Sequence, residues 1–467
     1  MERMIHPEVQ TTIDRYLRIV LLDSLIAGLY YVLTTLHSGL KFDPRSVFAT
    51  LTSIMLWSAF WEIVTGWFAD VFTRRAAAVS SFLSVGAAGV FLAMHPAETK
   101  GLLPWDSLSW QATLSLYALG GALISGALEA WLYDRHSYYS SEDPDLVVTY
   151  RKEMVLTILG TGMGYLLGVL VLIILLILPN VTDAELAHML PHYGAYGVAG
   201  FALVGLVLAW RMPEEYWIRE EHRHSQGLAQ YVLRFLRILL TEKRRYGTFV
   251  LLYSVAYSMD MLFTFSVWPL LWFSVERSGA AVGTHKTFVL LALTFVAVSS
   301  VGAYAARTWG ARSKLLSIPA ARVRAAHLLL ASAWNFLPMV AVGAAVLFLS
   351  STPWSVLPVL VVSVLVYRLG LVMRQGIYKA VLQRTVVDSS HRAVLLSAAT
   401  AAGSVLCGCS AAVYLRVMAP VEDARSVLAL SWILAPILGL VLIAVLVQPC
   451  RSWLAMSTKT SIDSTKA

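Results

Sequence analysis

The chain has 467 residues, of which 58% are hydrophobic and only 14% charged, and its formal net charge is +8. Soluble domains carry roughly 25% charged residues, so this composition excludes a water-soluble fold of such length. The basic excess would suit nucleic acid, but the placement of the charges accounts for it differently.

Runs of about 20 apolar residues recur along the whole length, as helices that cross a bilayer require. They fall at about 17–36, 47–65, 76–95, 109–132, 154–178, 193–211, 247–272, 286–306, 325–349, 355–378, 392–415 and 427–447. Twelve spans place both termini on one side. The opening stretch, MERMIHPEVQTTIDRYLRIV, has no short apolar core followed by a small-residue cleavage site, and predicts no removable signal peptide.

Orientation follows from lysine and arginine in the short loops. One side holds Arg15, Arg18, Arg74, Arg75, Arg135, Arg151, Lys152, the arginines and lysines of 211–245, Arg307, Arg312, Lys314, Lys379, Arg384 and the C-terminal basic residues. The other holds only Lys41, Arg45, Lys100, Arg277, Lys286, Arg416 and Arg425. The first side is therefore cytoplasmic, and the basic excess serves topology and lipid contact instead of nucleic acid. The longest polar stretch, 212–246, divides the spans six and six. Within it Tyr231–Leu240 spaces its apolar residues like an amphipathic helix lying on the inner leaflet. The resulting organisation is a first half at 1–211, a linker at 212–246, a second half at 247–448 and a cytoplasmic tail at 449–467.

Nothing in the chain points to a cofactor, a metal or catalysis. Cys407 and Cys409 lie inside an apolar segment and Cys450 near the C-terminus, without the spacing of a disulfide framework or a zinc site. His6, His188, His192, His222, His224 and His391 show no metal spacing, and no phosphate-binding G-x-x-x-x-G-K-[ST] occurs.

The first polar interruption is EIVTGWFADVFTRR, between spans 2 and 3. Its Gly66, Ala69, Asp70, Arg74 and Arg75 match the loop 2–3 signature of the major facilitator superfamily, while Phe68, Val71 and Thr73 depart from it. Glu62 with Thr65-Gly66 looks like the E-x-P-T-G entry of one branch of that superfamily, with Val64 in place of proline. SGALEAWLYDR, Ser125 to Arg135, looks like the end of its fourth helix. The chain thus resembles major facilitator transporters, in particular the drug/proton antiporter branch. The glycines of span 5, Gly160, Gly162, Gly164 and Gly168, resemble that branch's fifth helix without its Gly-Pro step; close helix packing explains them equally. The resemblance implies an all-α integral membrane protein of two six-helix halves. It also implies that Asp70, Arg74 and Arg75 latch the halves together, with Glu129, Glu62 and Asp134 as nearby acids. The competing reading is that Arg74 and Arg75 only obey the positive-inside rule. The second half repeats the loop in degenerate form at 302–312, with Arg307 where an aspartate would stand.

Ionisable residues inside spans are costly and mark functional positions by default. Asp23 lies in span 1, Glu129 in span 4, Asp260 in span 7, and Arg368 and Arg374 in span 10. The resemblance makes all four spans line a central cavity. Asp260 and Arg368 sit at similar depth and are expected to pair. A carboxylate balanced between burial and a neighbouring arginine can exchange a proton in the physiological range, so Asp23 and Asp260 are candidates for coupling and Arg368 for modulating Asp260 or meeting an anionic substrate group. A static ion pair that fixes helix packing is the competing reading. Tyr30, Phe263 and Tyr367 fall near mid-depth as candidate pocket aromatics. The expectation is a monomeric multi-pass transporter in a bacterial inner membrane, exporting a moderately hydrophobic small molecule by proton antiport. Proton-coupled uptake of an anionic nutrient and a non-transporting receptor are the alternatives.

Overall fold

The computed structural model describes residues 7–37, 44–94, 108–139, 146–177, 183–213, 247–276, 325–348, 353–385, 389–418 and 429–447 apart from 431, with scattered positions at 228–233 and 293–308. Long apolar runs in lipid have no water to satisfy backbone N–H and C=O groups, so each closes its hydrogen bonds within a helix. The first half comprises α1 (Pro7–His37), α2 (Pro44–Val71), α3 (Arg74–Met94), α4 (Leu108–Ile124), α5 (Ala127–Tyr139), α6 (Val147–Ile177) and α7 (Asp183–Trp210). The second comprises α8 (Thr248–Glu276), α9 (Ala325–Phe348), α10 (Pro353–Thr385), α11 (Ser389–Met418) and α12 (Trp432–Val447). The described positions between 293 and 308 are helical and belong to the expected eighth crossing. Among the described residues nine helices are long and apolar enough to span a membrane, and no strand occurs. With the two shorter apolar helices, the described residues agree with the all-α fold of about twelve crossings expected from the sequence. The linker at 214–227 and the tail at 448–467 lie outside the described residues, as does most of the expected amphipathic helix.

Two details depart from twelve uninterrupted rods. The fourth crossing is broken between α4 and α5, where Gly126 takes a positive φ of 61° that other residues rarely adopt. A break at membrane depth frees carbonyls, which must find donors within the protein. Thr65 of α2 supplies one to Ala122 at 3.1 Å, and Ser81 of α3 another to Gly120 at 2.7 Å. The second detail is the close seating of α1 on α6. A Cβ added at Gly164 would lie 2.1 Å from the Leu25 carbonyl oxygen, and one at Gly160 would lie 2.6 Å from that of Leu21. Gly160 and Gly164 therefore hold two helices of the same half together, as the packing reading of that glycine series expected. Gly162 faces open space.

The halves meet along two seams. In one, α2 lies against α11: Gly408 packs on Leu56 and Met55, and the rings of Phe48 and Tyr414 are 5.6 Å apart. In the other, α6 lies against α10. There Val155, Ile158 and Val372 form a small buried apolar cluster, and Gly376 leaves room for the stem of Arg151.

Candidate functional site

The turn between α2 and α3 uses a device that its sequence signature lacks. Thr73 stands where the loop signature it resembles has glycine, and its hydroxyl accepts a 2.9 Å hydrogen bond from the Ala76 amide, capping the first turn of α3. Arg74 is buried and reaches Asp134 of α5 at 4.0 Å, and Arg75 lies over the Trp210 ring at 5.7 Å. Both contacts stay within the first half, so they brace α3 against α5 and α7. Gly66 is buried at the end of α2; the side chain of Asp70, like Arg307 and Arg312 in the second-half loop, lies outside the described residues. Glu62 and Glu129, expected beside the latch arginines, make their described contacts elsewhere. Ser125 donates to Glu62 Oε1 at 2.7 Å, and Glu129 turns toward the second half.

In the core of the second half Asp260 gathers four donors. Asn335 of α9 (2.9 Å) and Tyr367 of α10 (3.1 Å) donate to Oδ1, while Gln375 (3.1 Å) and Arg374 donate to Oδ2. The other arm of Arg374 donates to the Ala256 carbonyl at 3.0 Å, and its guanidinium lies over Phe336 at 5.5 Å. The expected partner Arg368 is thus replaced by Arg374. The reason is helical phase: Arg374 lies six residues further along α10 and, with Gln375 and Tyr367, points at α8. The stem of Arg368 packs instead by Gly302, whose added Cβ would lie 3.1 Å from Arg368 Cβ. A carboxylate whose two oxygens each receive two donors is saturated, and this arrangement ties α8, α9 and α10 into one body.

A second ionic cluster joins the halves. Lys379, near the end of α10, donates to Glu129 of α5 at 2.5 Å and to Glu153 of α6 at 2.6 Å. Tyr16 of α1 donates to the other oxygen of Glu153 at 2.6 Å, and Tyr150 presents its ring 6.0 Å from the ammonium. Sequence reasoning counted Lys379 only as a topological charge and passed over Glu153 and Tyr16 altogether. One available signal was that Lys379 extends the polar series Arg368, Arg374, Gln375 along α10.

Asp23 is partly exposed on α1, on the side that faces Tyr117 of α4. The three candidate pocket aromatics are packed instead of presented to open space. Tyr30 stacks on Tyr117 with centroids 3.8 Å apart, and Tyr367, 0% exposed, lies 3.9 Å from Phe263, which in turn meets Trp432 at 4.8 Å. They are buried wall material. No group of three or more metal-ligating side chains occurs among the described residues.

Two all-helical halves meeting along two seams have the architecture of the major facilitator fold, and comparison with solved structures agrees. The proton:xylose symporter XylE of E. coli superposes with a TM-score of 0.63 at 13% identity, over 93% of this chain and 95% of its own. The nucleoside transporter NupG gives 0.57 at 15% identity, covering 94% of this chain and 98% of that one. The human organic anion transporter MFSD10 gives 0.58 at 16% identity, over 94% and 100%. At these identities the likeness defines the fold. No family model matches the sequence, and no curated protein does.

Proposed function

We propose that this protein is a proton-coupled secondary transporter that moves a small molecule by alternating access, rocking its two halves about a midplane site. The observation that carries the reading is the Lys379 bridge. A buried cation shared between α5 and α6 of one half and α10 of the other must break whenever that end opens, so it is the natural charged joint of a rocking pair. The positive-inside pattern supports a cytoplasmic position for this joint, in what we read as a bacterial inner membrane. Asp23, on α1 and partly exposed, is the substrate-proximal proton acceptor. Arg374 is committed to Asp260, which disfavours an anionic cargo held by that arginine and favours an uncharged or moderately hydrophobic one. Export in exchange for protons is the direction supported by the resemblance of loop 2–3 and the end of span 4 to drug/proton antiporters. Uptake by symport is the second reading, favoured by two solved neighbours described as proton symporters, XylE and FucP. The protein works as a monomer, without cofactor or nucleic acid.

The test is a pH-gradient-driven flux assay in everted vesicles with a panel of dyes and antibiotics, alongside right-side-out vesicles with sugars and nucleosides. Gradient-dependent accumulation in the everted vesicles, lost in Asp23→Asn, supports export. Gradient-dependent entry into right-side-out vesicles supports symport, and movement of no solute in either set overturns the transport reading.

A further inference from the structure

Glu62 stands apart from the other fully buried acids among the described residues, Asp260 and Glu153. It is 1% exposed, it lies in a membrane-crossing helix, and no cation is paired with it among the described residues. Its side-chain neighbours are hydroxyls: Ser125, which donates to Oε1 at 2.7 Å, and Ser397 of α11. Its second oxygen, Oε2, has no hydrogen-bond partner among the described residues. Asp260 has an arginine, and Glu129 and Glu153 share a lysine; Glu62 has only serines.

Where it sits matters as much as what surrounds it. Glu62 lies on α2 beside the break between α4 and α5, and Ser397 brings α11 of the other half against it. Thr65, one turn on, closes the gap by donating to the Ala122 carbonyl freed at the break. The carboxyl is therefore roofed by a seam between the halves. The other titratable groups that face it are Glu129 on α5, already joined to Lys379, and Tyr257 on α8. Neither can neutralise an ionised Glu62, and Glu129 opposes it.

An ionised carboxylate sealed in such a place bears a large desolvation penalty with no cation to offset it. A neutral acid does not, and Oε2 is the oxygen left to carry the hydrogen. From the hydroxyl-only surroundings, the orphaned oxygen and the position at the seam, we infer that Glu62 is a proton-binding site, loaded when the α2–α11 seam closes over it and emptied when the seam parts and water reaches it. This deepens the transport reading, on which its purpose rests, by adding a second proton-binding carboxylate besides Asp23 and tying that proton to closure of the halves.

The experiment uses the purified full-length chain in lipid nanodiscs and needs no substrate. An upward pH jump with an indicator dye counts released protons, and infrared difference spectroscopy follows the carbonyl stretch of protonated carboxylic acids. The wild type should release one more proton per molecule than Glu62→Gln and show a protonated-carboxyl band that Glu62→Gln lacks. Glu62→Asp should restore the band at a shifted position, and it decides the matter if Glu62→Gln does not fold. Spin labels at Ile63→Cys and Leu406→Cys, both exposed, should move apart as pH rises in the otherwise wild-type protein and stay at the short distance in Glu62→Gln. Equal proton release, an unshifted band in Glu62→Asp, or pH-dependent separation that survives Glu62→Gln overturns the assignment. If the band is present but no solute moves in the flux panel, it is the transport reading that fails.

Discussion

The two ionic clusters of α10 lie five residues apart in sequence and do opposite work. Arg374 pairs with Asp260 of α8 inside the second half, and the four described donors to that carboxylate come from α9 and α10. Lys379 points across the seam to acids of the first half. A pair within one half keeps its partners however the halves rock, so burial and saturation make it a rivet. On the proposed rocking motion, a pair between halves is remade in every cycle, so its energy sets the balance between states. One helix therefore carries a permanent fastening and a reversible one, a little over one turn apart.

Substitutions at six positions can break or sharpen that contrast. The largest effect should come from Asp260→Ala, which strands Arg374 without its carboxylate. Breaking a buried pair in this way costs about 3–5 kcal/mol, and the protein should aggregate in detergent, as size-exclusion chromatography would show. Asp260→Ala combined with Arg374→Met should recover a monodisperse protein. If Asp260→Ala alone stays folded and merely loses coupling, Asp260 is a proton site and not a rivet. Next, Lys379→Met should leave the folded protein intact but abolish gradient-driven flux, because two acids are then left facing each other at the joint. Because that end can open and let Glu129 and Glu153 reach water, the melting temperature should fall less than in Asp260→Ala, and flux lost at least tenfold then separates the joint from the rivet.

A smaller effect is expected for Gly164→Ala, whose Cβ would collide with backbone of α1. Overpacking of this kind costs about 1–3 kcal/mol. Gly162→Ala, which faces open space, should change the thermal midpoint little. Smallest is Thr73→Ala at the α2–α3 turn. Losing an N-cap typically costs about 1 kcal/mol, read as a modest drop in melting temperature, whereas Thr73→Gly should cost only a few tenths of a kcal/mol.

The architecture was legible because hydropathy and the distribution of lysine and arginine are whole-helix properties. An apolar run long enough to span has one low-energy answer in lipid. Residue partners were harder to read, because they depend on helix phase and tilt. The depth of Asp260 and Arg368 was judged from sequence, but a hundred degrees of rotation per residue decides which arginine of α10 faces α8. Lys379 was invisible as a functional residue for a related reason: at a span end, a topological cation and a buried bridge look alike until the other half is placed against it. Glu62 was noticed for its motif, but its contacts with Ser125 and Ser397 depend on where α4 breaks and how α11 is placed, which no motif records. Thr73 departed from the family pattern, and the departure has a local explanation that capping chemistry supplies.

The claim that Lys379 is the breakable joint between two rigid halves is tested most directly by a distance across the charged end. Spin labels at Lys152→Cys on α6 and Leu251→Cys on α8, both exposed, report the separation of the halves there. In nanodiscs the otherwise wild-type protein should show a dominant short distance, and the added Lys379→Met should move the population to a longer one. An identical distribution in both would contradict the account.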